Sequence, residues 1–138
     1  GDLFHSKANL ELEWFKRWRG DFSALHFHLV KGNHDILGNQ WYDEANLIVT
    51  ESVLEMGPIR FSHDRCTHVE GTYTFCGHLH PGVVINGAGR QTLRLPCFYF
   101  APQYGILPAF SRFTGTANVQ PGKEDTVFAI AQDALIKL

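Results

Sequence analysis

The sequence predicts a mixed α/β (α+β) fold, a sandwich of β-sheets flanked by helices. Two patterns carry that prediction. An amphipathic helix and isolated apolar strands occupy the first half, and hairpin-like strands fill the second. With 138 residues, 44% of them hydrophobic, the chain fits one domain, 1–138, able to bury a core.

Each element follows from its own pattern. Ser6 to Arg19 reads as a helix whose Leu10, Trp14, Phe15 and Trp18 share a face, with Gly20 as its stop. Lys16, Arg17 and Arg19 then form its wet face. Ala24 to Val30 reads as a strand running into Lys31-Gly32-Asn33-His34-Asp35. Its His26 and His28 alternate with Leu25, Phe27 and Leu29 and so share the opposite face. Gln40 to Ala45 suits a short helix. Val53 to Met56 and Ile59 to Ser62 suit paired strands about Gly57-Pro58, delivering the chain to His63. Tyr73 to Cys76 is a further strand, ending at Gly77-His78-Leu79-His80. Val83 to Ile85 and Thr92 to Phe100, separated by the turn Asn86-Gly87-Ala88-Gly89, begin the β-rich second half. Val127 to Ala131 and Ala134 to Leu138 close it as a hairpin. No repeat, low-complexity tract or linker interrupts the chain.

Composition narrows the functional classes. Eleven Phe, four Tyr and three Trp argue against disorder. A formal net charge of -2 gives no strong field toward nucleic acid or acidic membranes, yet leaves room for a phosphate substrate held through metal ions. No apolar run reaches membrane-span length and no signal peptide is visible, so the expected location is cytoplasmic, without a membrane partner. Cys66, Cys76 and Cys97 make no CxxC pair and leave an odd count. Free buried thiols in a reducing compartment are therefore expected, rather than a disulfide framework or a structural zinc site.

The chemistry lies in polar residues that follow strands. Asp2, Asn33-His34, His63, and His78 with His80 each stand where an apolar run has ended. Strand ends at one sheet edge converge, so residues distant in sequence can meet there. Oxygen and imidazole donors suit zinc, manganese or iron rather than a thiolate-bound metal. Alone, each piece is ordinary: an Asp after Gly is usually a turn residue, and a single HxH pair is more often solvated than ligating. Their joint occurrence at successive strand ends favours a metal site.

Gly1-Asp2, Gly32-Asn33-His34-Asp35, His63 and Gly77-His78-Leu79-His80 resemble the second to fifth motifs of the calcineurin-like metallophosphoesterases. Gly1 to Ser6, Pro81 after the histidine pair, Leu107-Pro108-Ala109-Phe110 and Phe113-Thr114-Gly115 resemble the bacterial DNA-ligase-associated damage-response endonuclease branch. Ser111 stands where that branch tends to carry glycine. The resemblance spans essentially the whole chain and implies a metallophosphoesterase-like sandwich with two divalent metal ions bridged by Asp2. Asn33, His63 and His78 would complete the shell of the second ion, and His80 would bind the first. His34 would face the scissile phosphate, with Asp35 orienting its ring. Manganese is the favoured metal, with zinc, iron and nickel as alternatives.

The family's first motif, an Asp-x-His after the first strand, lies outside this sequence. The chain is therefore expected to be N-terminally truncated, missing its first strand and retaining one well-formed metal site. The strand edge so exposed is expected to self-associate. His5, beside Asp2, and Arg65, two residues past His63, are assigned to the substrate edge, although structural or loop roles compete for both. The resulting reading is metal-dependent hydrolysis of phosphodiester bonds, as in a DNA-repair nuclease, with a DNA ligase/helicase-associated system as the implied partner. Nucleotides, small phosphodiesters or phosphoproteins are alternative substrates, and a non-catalytic metal-binding scaffold is the alternative class.

Overall fold

The computed structural model describes residues 1–4, 10–64, 66–111 and 114–138. It is an α+β fold in which mixed sheets dominate and helices are few. The chain divides into two compact units, Gly1–Leu54 and Glu55–Leu138.

The first unit contains α1 (Leu10–Gly20), β1 (Phe27–Val30), α2 (Asn39–Glu44) and β2 (Leu47–Thr50). β1 and β2 pair in parallel, Phe27 opposite Leu47 and Val30 opposite Thr50. Parallel neighbours need a crossover, which the α2 segment supplies. The core is Phe4, Leu12, Leu29, Tyr42, Ala45 and Leu47. Phe4 organises it, with its ring 5.1 Å from Phe15 and 4.6 Å from Trp41.

That packing selects a different face of α1 from the one expected. Leu12 is buried and Phe15 half-buried, whereas Leu10, Trp14 and Trp18 are 72%, 62% and 47% exposed. Arg19, assigned to the wet face, is 3% exposed. Its guanidinium donates to the carbonyls of Phe22 (2.7 Å), Leu25 (2.8 Å) and Asn46 (3.2 Å) and lies 4.3 Å from the Phe27 ring centroid. A planar group with five N–H donors can satisfy several carbonyls of an irregular turn while its face stacks on an aromatic ring.

The division between the units falls inside β3 (Val53–Met56). The second unit continues with β4 (Ile59–Ser62), β5 (Tyr73–Cys76), β6 (Pro81–Asn86), β7 (Thr92–Phe100), β8 (Tyr104–Ile106), β9 (Ala117–Asn118), β10 (Thr126–Ala131) and β11 (Ala134–Lys137). The main path runs β11-β10-β7-β8-β5-β4-β3, and β6 joins β7 to β9. β4, β5 and β8 are parallel, while β7, β10 and β11 are antiparallel neighbours. β7 serves three partners: Thr92–Pro96 pairs with β6, Cys97–Phe100 with β10 on one side, and Tyr99–Phe100 with β8 on the other. Pro96, which has no N–H to give a ladder, stands at the handover. Cys76, Val83, Cys97, Tyr99, Ile106, Val127 and Ala129 form the core.

The cysteines differ from the expected set of free thiols. Cys66 and Cys76 form a disulfide, with Cα atoms 5.5 Å apart, and Cys97 is free and buried. The connection from β4 to β5 folds back on itself and brings the pair within bridging distance. A search for CxxC spacing misses a pair joined through a loop. Among the described residues, no helix is long and apolar enough to cross a membrane.

Candidate metal centre

In the first unit the chemistry gathers around a carboxylate. Asp35 is 3% exposed. Its Oδ2 accepts the N–H groups of Asp2 (2.6 Å) and Gly32 (2.8 Å), and its Oδ1 those of Leu3 (2.8 Å) and Phe4 (3.0 Å). Four N–H donors match the four lone-pair sites of an ionised carboxylate. Asp35 thus ties the stretch carrying Asp2 to the turn carrying Asn33 and His34. The sequence reading assigned it to the His34 ring, and motif spacing gave no sign of this backbone role.

Asp2 is fixed from a second direction, because its Oδ1 accepts the His34 N–H at 2.8 Å. A Cβ at Gly32 would overlap Asp2 Oδ1 and the Asp2 nitrogen. Glycine is thus required there by close approach of the two segments. Asn33 and His34 are both exposed.

In the second unit, β4 and β5 run in parallel register, Phe61 opposite Phe75, and end at the same edge. His63 follows β4, while His78 and His80 follow β5. The Gly77 N–H donates to the His63 carbonyl at 3.0 Å and joins the two chain exits. His63 Nε2 lies 3.1 Å from His78 Nδ1, with the rings edge to face at 4.9 Å. His63 is buried, His80 half-buried and His78 exposed. The Ala117 N–H donates to the His80 carbonyl at 2.9 Å and anchors the end of the motif.

Backbone strain marks the same residues. Among the described residues, six non-glycines have positive φ: Asp2 (59°), Asn46 (52°), His78 (54°), His80 (51°), Arg90 (63°) and Gln132 (56°). Asn46, Arg90 and Gln132 belong to tight connections after α2, in the 3-10 turn Ala88–Arg90 and in the β10–β11 hairpin. Asp2, His78 and His80 are candidate ligands. Left-handed backbone at such residues is costly, and it persists where surrounding contacts impose it, often at functional sites.

The donor chemistry fits a divalent cation. Two nitrogens on a tetrahedral ion with bonds of ~2.0–2.1 Å stand ~3.3 Å apart. The His63–His78 separation of 3.1 Å is close to that. Without an ion, one ring donates its N–H to the other's lone pair. His5 and Arg65 lie outside the described residues. His26, just before β1, and His28, within it, are both exposed.

No protein-family model matches the chain, and no curated protein matches it. Among solved structures, it is similar to the crystal structure of a Pseudomonas putida nuclease, MPE, with 25% sequence identity and a TM-score of 0.77. The match covers 96% of this chain and 64% of the nuclease. The chain therefore shares its fold with a nuclease and spans less than two-thirds of that protein's length.

Proposed function

We propose that this chain carries the catalytic module of a metal-dependent phosphodiesterase acting on nucleic acid, DNA foremost, with both units belonging to one calcineurin-like metallophosphoesterase domain. The observation that carries the reading is the convergence of His63 Nε2 and His78 Nδ1 at the ends of adjacent parallel strands. Positive φ at Asp2, His78 and His80 and the likeness to a nuclease support it.

Asp2, Asn33, His63 and His78 hold one divalent cation, manganese by preference, and Asp2 with His80 contribute to a second. A bound cation supplies Lewis-acid charge for the phosphoryl oxygens and makes water a stronger acid. Asp35 keeps Asp2 in place through the backbone. His34, an exposed residue, gives an imidazole proton to the departing alkoxide as a general acid. His5 and Arg65 belong to the substrate edge. The setting is a cytoplasmic DNA-repair system associated with a DNA ligase and helicase, and the open edge of β1 pairs with a second copy.

The test is hydrolysis of bis(4-nitrophenyl) phosphate and of DNA by chain stripped of metal and then given Mn²⁺. Cleavage should follow Mn²⁺ and fall by about 10²–10⁴-fold in His34→Ala, the range for loss of an acid–base group. Metal-independent cleavage, or an unimpaired His34→Ala, would overturn the reading.

A further inference from the structure

We propose that Cys66 and Cys76 form a thiol–disulfide switch that sets how firmly His63 and His78 are held for a divalent cation. The proposal rests on the reading of those two histidines as ligands.

The disulfide is placed for that task. Cys66 lies three residues after His63, and Cys76 lies two before His78. The same two chain segments meet through the Gly77 N–H on the His63 carbonyl, the His63–His78 ring contact and the Cys66–Cys76 bond. Of the three, the disulfide alone is covalent. Between the cysteines the chain leaves the sheet: Thr67 to Gly71 is exposed throughout. Within it the Thr72 N–H and hydroxyl both donate to the Val69 carbonyl, at 3.1 and 2.8 Å, and the Thr74 hydroxyl donates to the Thr67 carbonyl at 3.1 Å. Opening the disulfide therefore frees a loop that starts three residues after His63 and leads into β5, whose last residue, Cys76, stands two before His78.

The cysteines also differ in ways that suit reversible exchange. Cys66 is half-buried and Cys76 is buried, so an incoming thiolate reaches the Cys66 sulfur first. A dithiol reductant attacks Cys66 Sγ, and the S–S bond breaks to release Cys76 as a thiolate that takes a proton. The reductant's second thiol then displaces Cys66 as a thiol and closes its own disulfide, so two electrons and two protons pass to the protein. Cys97 packs in the same core as Cys76, and burial pushes its thiol up to about 11. A thiol that stays protonated is a poor nucleophile, so exchange is confined to the Cys66–Cys76 pair.

The experiment compares the full chain in oxidised form with the same chain treated with a dithiol and desalted without oxygen. Peptide mapping reads the disulfide, hydrogen exchange reads residues 66–72, and Mn²⁺ titration followed by electron paramagnetic resonance reads affinity. Reduction should speed exchange across 66–72 and weaken Mn²⁺ binding by about 10–100-fold, the scale for losing a group that orients metal ligands. Cys66→Ser should bind like the reduced form whatever its treatment, while Cys97→Ala should keep the full response. Equal affinity in oxidised and reduced wild-type chain would overturn the switch, as would absence of the Cys66–Cys76 linkage after mild oxidation. If neither form binds Mn²⁺, the ligand assignment fails and takes the switch with it. That result differs from equal, measurable binding in both forms.

Discussion

Asp35 Oδ2 accepts the N–H groups of Asp2 at 2.6 Å and of Gly32 at 2.8 Å, so one buried carboxylate sets the distance between two motif segments. Asp35→Asn keeps the shape but presents an NH₂ group to donors that need acceptors. Loss of charge-assisted bonds at a buried site should cost about 2–4 kcal/mol. Urea unfolding measures it, and a change below 1 kcal/mol would show that the clamp contributes little.

Gly32→Ala tests the close approach itself. The added Cβ overlaps the Asp2 carboxylate and also the Asp2 backbone nitrogen, which cannot turn aside as a side-chain end could. Destabilisation of about 1–3 kcal/mol is expected, the usual range for forced overpacking. Gly20→Ala, with nothing within 4 Å of the new methyl, is the control and should be near neutral.

His34 and His78 should separate chemistry from metal binding. His78→Ala removes a nitrogen that faces His63 Nε2 and should deplete bound Mn²⁺. His34→Ala should leave metal content intact and reduce hydrolysis. Elemental analysis of both variants decides between them. Equal metal loss would collapse the division of roles.

Asp125 predicts a specific acid response. The Tyr99 hydroxyl donates to its Oδ2 at 2.5 Å and the Gly122 N–H at 2.7 Å. These bonds, Tyr99 first, hold its carboxyl below the ordinary 3.8. A depressed folded value means stabilisation that is complete above the unfolded value and lost as pH falls through the folded one. The melting-temperature gap between wild type and Asp125→Asn should therefore be constant near neutrality and close below pH 3.8. A gap that persists undiminished in stronger acid would contradict it.

The second edge of β1 has no strand partner among the described residues. Unpaired N–H and C=O groups along such an edge template association with another copy. A dimer or larger species is expected at micromolar concentration, shifting toward monomer in His26→Lys/His28→Lys, two exposed positions. Light scattering after size exclusion measures it, and a monomeric wild-type chain would refute the edge pairing.

Much of this fold was legible because strands and turns alternate sharply. Val53–Met56, Ile59–Ser62, Tyr73–Cys76 and Thr92–Phe100 occur where their patterns place them. β2, β8 and the two-residue β9 have no counterpart in the sequence reading. Leu47–Thr50 is a short apolar run beside a helix, and Tyr104–Ile106 has only three residues, so neither shows a usable period. The face of α1 was misread because Phe4, ahead of the helix, and the distant Trp41 and Tyr42 decide which stripe is covered. At the site, residue types and strand-end positions singled out His63 and His78, whose rings the structure brings together. The Asp35 backbone clamp, the buried Arg19 and the Cys66–Cys76 bond depend on loops folding back, which local pattern does not encode.

The most direct test of the central claim is anomalous scattering from crystals of this chain soaked with Mn²⁺. One strong peak is predicted within bonding reach of His63 Nε2 and His78 Nδ1, with Asp2 and Asn33 completing its shell and a weaker peak or none at His80. No manganese at the histidine pair would contradict the proposed centre. Two equally occupied ions held by this chain alone would contradict the asymmetry it predicts.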